Sequence, residues 1–124
     1  MLKNNKFYPL LRNIKKTVIS HLPFAKQRAL KFYSGIISKD SLCFDIGANV
    51  GDRTALFLKL GAKVVAVEPQ SRCRKTLNKK YGKSPRVSLV FKGVSDKPGY
   101  AYLAICPQDN TLSTLSKDWQ KESR

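Results

Sequence analysis

Two short apolar runs, joined by a glycine-rich turn and a short amphipathic stretch, constrain this chain more than anything else in it. Residues 42–46 (LCFDI) lead directly into Gly47-Ala48-Asn49-Val50-Gly51, and residues 63–67 (KVVAV) follow the stretch Thr54–Leu60. A five-residue apolar run that stops at glycine reads as a buried strand leaving a sheet. An uninterrupted β-branched run such as KVVAV is typical of a parallel strand covered on both faces. Asp52 or Thr54 is placed to cap the helix between them and Gly61 to end it. Ser71–Tyr81 puts Cys73, Leu77 and Tyr81 on one helical stripe, with Gly82 as the stop. Val87, Leu89 and Phe91 then alternate as in a third strand, and Asp96-Lys97-Pro98-Gly99 marks a turn. Tyr100 to Cys106 reads as one more strand, with Tyr100 and Tyr102 as packing residues. Strands alternating with helices predict an α/β fold, its parallel sheet built by right-handed crossovers.

The 124 residues allow at most one domain, and 42% hydrophobic residues supply a core. The formal charge of +16 is uneven: residues 1–39 hold nine Lys or Arg and no acid. A basic arm of this kind suits nucleic acid or an anionic surface. The plainer reading, favoured here, is the solvated face of N-terminal helices, since basic residues also continue through the rest of the chain. Ala25 to Ile37 carries Ala25, Ala29, Phe32, Tyr33 and Ile36 near the helix period, with Pro23 suited to the first turn. Residues 1–40 are therefore read as a basic helical segment and 41–124 as the α/β unit. No apolar run approaches the roughly 20 residues of a membrane helix, and no secretory leader pattern is visible, so a cytoplasmic protein is expected. Cys43, Cys73 and Cys106 show no CxxC spacing, which argues for three reduced, mostly buried thiols and no metal site.

In a parallel sheet, ligands bind beyond the carboxyl ends of the strands. The loop after the first strand is the candidate. Gly47 lets a backbone or ligand approach closely, and Gly51 lets the next helix begin tight against the strand. Asn49 tolerates left-handed backbone better than most residues. A dinucleotide fingerprint would be G-x-G-x-x-G; here Asn stands at the second glycine and Asp52 at the third. Asp52, near a helix N-terminus, would repel a pyrophosphate. The absence of G-K-[ST] excludes a P-loop. Asp45, at the end of the first strand, suits an ammonium. Glu68, ending the second strand 23 residues later, suits ribose hydroxyls. S-adenosylmethionine carries both groups.

At these residues the chain resembles the FkbM-like family of S-adenosylmethionine-dependent methyltransferases. FDIGANVGDRT is similar to that family's first motif, D-x-G-A-N-x-G, and VVAVEP is similar to its second strand. GVSDKPG at Gly93–Gly99 and NTLSTLSKDW at Asn110–Trp119 are similar to later stretches in some members. The resemblance implies a Rossmann-like class I methyltransferase fold and methyl transfer to a hydroxyl of a saccharide or other small metabolite. It implies that Asp45, Gly47, Asn49 and Gly51 line the methionine end, that Glu68 holds the ribose, and that Ser95 and Asp96 lie at the adenine pocket. Thr54 is a further candidate that capping explains equally well.

The family continues through further strands, including an acidic D-V-E-G-like motif near the methyl acceptor, and nothing up to Arg124 resembles it. The expectation is therefore the N-terminal half of such a domain, truncated after three parallel strands and a hairpin strand, with the Leu42–Ile46 strand left as an open apolar edge. Such a chain is expected to be marginally stable and inactive alone. No catalytic base is assigned: His21, the only histidine, reads as exposed or capping. Two other readings stand beside this one. An RNA methyltransferase is suggested by the charge, although no N/D-P-P-Y motif is present. The other is a non-catalytic Rossmann-type nucleotide-binding module.

Overall fold

A computed structural model describes residues 23–106 and Ser113. His21, most of the 1–39 basic segment and nearly all of Asn110–Trp119 lie outside the described residues. The elements are α1 (Pro23–Ser34), β1 (Leu42–Ile46), α2 (Asp52–Lys59), β2 (Lys63–Val67), α3 (Ser71–Tyr81) and β3 (Val87–Val90). The strands form one parallel sheet in the order β1-β2-β3, with Leu42 opposite Lys63 and Val64 opposite Val87. This is the α/β arrangement expected: three parallel strands joined by helices, a partial Rossmann-like unit.

Each crossover is a helix, and α2 and α3 lie on the same face. Val64 and Ala66 are buried there with Phe57, and Cys43, Val87 and Leu89 pack against that cluster. Cys73, Leu77 and Tyr81 form the second cluster, the stripe read from the sequence. The helix after Gly51 starts two residues earlier than expected. Its N-cap is Gly51 itself, in left-handed backbone, with no side-chain cap from Asp52 or Thr54. The glycine at its other end behaves as expected. Gly61 has φ 83, and the bonds Gly61 N–H to Leu58 O and Ala62 N–H to Phe57 O close a Schellman turn. Helix α1 ends at Ser34 rather than Ile37. Its inward residues are Tyr33, whose ring meets Phe57 edge-on at 5.1 Å, and Ile37 just beyond it, whereas Phe32 and Ile36 point outward.

The opposite face of the sheet is different. Leu42, Phe44 and Ile46 share it with Val65, Val67 and Val90; those three β1 residues are 61%, 61% and 52% exposed, whereas Val67 is buried. KVVAV was expected to be covered on both faces, yet among the described residues only one face carries helices, so Val65 stays half-exposed. Among the described residues β1 pairs only with β2, which makes it the open apolar edge anticipated from the sequence.

Tyr100 to Cys106 does not form a strand. Ala104 makes a single bridge, and Tyr100 and Tyr102 are fully exposed rather than packed. A bend at Asp96–Gly99 follows β3, and no ladder forms along Tyr100–Cys106 to bury the two rings. Only Cys73 of the three thiols is buried; Cys43 and Cys106 are half-buried, and no disulfide joins any of them. No helix among the described residues is long and apolar enough to cross a membrane, and no metal-ligand cluster occurs among them.

An exposed apolar strand edge templates pairing with other chains. Phe44→Lys is expected to reduce concentration-dependent self-association, read by light scattering across a dilution series. Unchanged association would show that this edge is not the sticky surface.

Candidate functional site

The carboxyl ends of β1 and β2 converge on the loop Gly47–Gly51. Its path needs three left-handed residues: Gly47 (φ 77), Asn49 (φ 52) and Gly51 (φ 82). Asn49 is the non-glycine that such backbone tolerates best, and it takes the conformation the sequence suggested. The loop folds back on β2, where Gly47 N–H and Ala48 N–H both donate to Val67 O at 2.9 and 3.0 Å.

The two expected acids lie at the carboxyl ends of neighbouring strands but in different environments. Asp45 is 1% exposed. Its Oδ2 accepts the Thr54 hydroxyl at 2.6 Å. Among the described residues, its buried Oδ1 has no hydrogen-bond donor, and its one ion pair is with the Arg53 guanidinium, Nη1 at 3.6 Å. Thr54 lies inside α2, past its Gly51 N-cap, and its hydroxyl is spent on Asp45. Glu68 is 3% exposed, and each of its oxygens is occupied: Oε2 accepts Asn49 N–H at 2.8 Å and Oε1 accepts Gln70 N–H at 2.9 Å. Burial of this carboxylate is tolerated because both oxygens have donors.

Gly47 and Gly51 differ in what surrounds them. A β-carbon at Gly47 would meet nothing within 4 Å, leaving open space over the loop. One at Gly51 would collide with the Tyr81 ring and lie 3.0 Å from Leu77 Cδ2. α3 therefore packs directly on Gly51, and the Tyr81 hydroxyl donates to Gly51 O at 2.7 Å. Lys80 Nζ donates to Val50 O at 2.6 Å, and Cys73 Sγ lies 3.6 Å from Asn49 Oδ1. Four side chains of α3 thus grip the loop from behind.

Ser95 and Asp96 are exposed and bond to each other, Ser95 Oγ to Asp96 Oδ1 at 3.1 Å; none of the described hydrogen bonds joins them to the loop. Residues that sequence reasoning passed over stand closer. Gln70 Oε1 accepts from Arg72 Nε and from Ser113 Oγ, both at 3.1 Å, and Arg72 Nη2 donates to Cys106 O at 2.7 Å. The chain beyond β3 is so held against the end of β2. Gln70 and Arg72 carry no motif; the clue in the sequence was their place just past Glu68-Pro69. Arg53 lies inside the motif stretch and was passed over because its role depends on Asp45 lacking a donor.

Burial pushes the Cys73 thiol above its ordinary value of 9.0, helped by the negative charge of Glu68 and opposed by Arg72. Burial likewise raises the Tyr81 phenol above its ordinary 10.0, with Asp52 and Asp45 adding to the effect.

No protein-family model matches the sequence, and no curated protein matches it. Solved structures do. One is a protein from Clostridium thermocellum described as an rRNA methylase, at 18% identity over 54% of this chain and 41% of that one, with TM-score 0.48. A second is a protein from Streptococcus mutans described as a methyltransferase and solved with S-adenosylhomocysteine, at 24% identity over 54% and 39%, with TM-score 0.47. A third is the C-terminal domain of precorrin-6Y C5,15-methyltransferase from Rhodobacter capsulatus, at 22% identity over 63% and 46%, with TM-score 0.48. The chain spans less than half the length of each of these three.

The two loop glycines are separable by stability. Gly47→Ala should cost only left-handed strain, about 1–2 kcal/mol. Gly51→Ala adds overpacking against Tyr81 and should cost about 2–5 kcal/mol in all. Urea unfolding of both variants tests this, and equal losses would contradict the packing described. The raised pKa values give a pH dependence with a definite sign. A group that holds its proton more tightly when folded contributes stability below its unfolded pKa, and that contribution is lost as pH rises through the folded one. The urea midpoint should therefore fall as pH rises past the ordinary values 9.0 and 10.0. Cys73→Ala should flatten the earlier part of that fall.

Proposed function

We propose that residues 41–124 belong to the cofactor-binding half of an S-adenosylmethionine-dependent methyltransferase, of the FkbM-like kind that the motifs resemble. The observation that carries this reading is the buried Asp45 Oδ1 without a hydrogen-bond donor, at the carboxyl end of β1 beside the Gly47–Gly51 loop. A buried carboxylate oxygen without a donor is costly, and a ligand ammonium supplies what it lacks. The open space at Gly47 leaves room for the rest of an amino-acid end. Glu68 uses one lone pair of each oxygen on Asn49 and Gln70, so a second on each remains for ribose hydroxyls. Ser95 and Asp96 are assigned to the adenine side on the resemblance.

When bound, the cofactor supplies an electrophilic methyl group. The chain's own residues bind and orient it: Asp45 and the loop at one end, Glu68 at the other. Rate enhancement in such a reaction comes largely from positioning donor and acceptor. The acceptor we favour is a hydroxyl of a saccharide or other small metabolite, again on the resemblance. An RNA acceptor is the second reading, favoured by the formal charge of +16.

Calorimetric titration tests the cofactor. S-adenosylhomocysteine should bind and NAD should not; the reverse result would overturn the assignment. Asp45→Asn should weaken S-adenosylhomocysteine by about 10- to 100-fold, the range of a hydrogen bond to a charged group. For the acceptor, retention of RNA that falls steeply as salt rises would favour the nucleic-acid reading over a small metabolite.

A further inference from the structure

We propose that Arg53 binds the α-carboxylate of the ligand's amino-acid end, and that in the free protein the same guanidinium serves as counter-ion to Asp45. The inference rests on the S-adenosylmethionine reading above. It starts from a mismatch. Asp45 is 1% exposed and its Oδ1 has no hydrogen-bond donor, yet the Arg53 Nη1 stands 3.6 Å away. A guanidinium built as the permanent partner of a carboxylate closes to about 2.7–2.9 Å, often through two parallel bonds. This pair attracts without closing.

The position of Arg53 is also unfavourable for a permanent cation. It is the second residue of α2, and the positive end of a helix disfavours positive charge. Asp52, the acid of that first turn, is paired with Lys80 at 3.7 Å. Among the described residues, the ion pair of Arg53 is with Asp45 alone. Its side chain is 55% exposed, so it can swing off Asp45 without leaving a packed core.

An α-amino-acid terminus fits this arrangement. Its ammonium takes Oδ1 of Asp45, and its carboxylate, one carbon away, offers the displaced Arg53 a new anion. Charges then alternate: carboxylate, ammonium, carboxylate, guanidinium. The four groups sum to zero, as Asp45 and Arg53 do alone. Arg53 thereby selects for ligands that keep the whole amino-acid end.

The test compares S-adenosylhomocysteine with 5′-methylthioadenosine, which keeps adenosine and sulfur but lacks the amino acid. Both are titrated calorimetrically into the full chain, its Arg53→Met and its Arg53→Lys variants, with thermal midpoints measured alongside. Arg53→Met should weaken S-adenosylhomocysteine by about tenfold or more, the share of a charge-assisted hydrogen bond. It should leave 5′-methylthioadenosine unchanged, and Arg53→Lys should recover part of the loss. Tighter binding of S-adenosylhomocysteine by Arg53→Met would mean that Arg53 only competes with the ligand. Equal weakening of both ligands would mean that it only supports the loop. Either result, or no change at all, removes this proposal and leaves the cofactor reading standing. If neither ligand binds the unaltered chain, both readings fall together.

Discussion

Everything at the carboxyl end of this sheet depends on the carboxylate of Glu68. It is buried at 3% exposure and bridges two segments, taking Asn49 N–H on one oxygen and Gln70 N–H on the other. Because the charge is buried, those two donors are obligatory. They fix the turn after β1 relative to the turn after β2. Without that tie, the left-handed Asn49 would lose the side-chain acceptor of its N–H. Glu68 is thus a structural brace, and each of its oxygens keeps a second lone pair beyond the two bonds that brace the turns.

The loop is braced from a second direction by α3. Gly51 lacks a side chain where Tyr81 and Leu77 press in, and Tyr81 returns a hydrogen bond to Gly51 O. The glycine at that position therefore serves helix packing. Gly47, with nothing within 4 Å of a would-be β-carbon, is the glycine that keeps space open. One motif holds two glycines with different physical tasks.

The sheet is asymmetric in the same way. Its helix-covered face contains Val64, Ala66, Phe57 and Leu77, all at most 6% exposed. Its other face presents Leu42, Phe44 and Ile46 to solvent. Parallel sheets are normally covered on both sides, and the apolar character of KVVAV was read on that basis. The run is composed for two covered faces; among the described residues helices cover one, and on the other Val67 is buried while Val65 is half-exposed.

The sequence by itself determined the parallel α/β order, the strands 42–46 and 63–67 and the stripe Cys73, Leu77, Tyr81, because each rests on local periodicity within one element. It also determined that position 49 takes left-handed backbone, because glycine and asparagine carry that preference themselves. Tertiary structure alone decided that Thr54 bonds Asp45 instead of capping α2, that Gly51 is the cap, and that Tyr100 and Tyr102 stand free. It alone brought Arg53 to the donorless oxygen of Asp45 and Gln70 to Ser113. These outcomes depend on contacts between segments, and those exist only when segments distant in the chain are packed together.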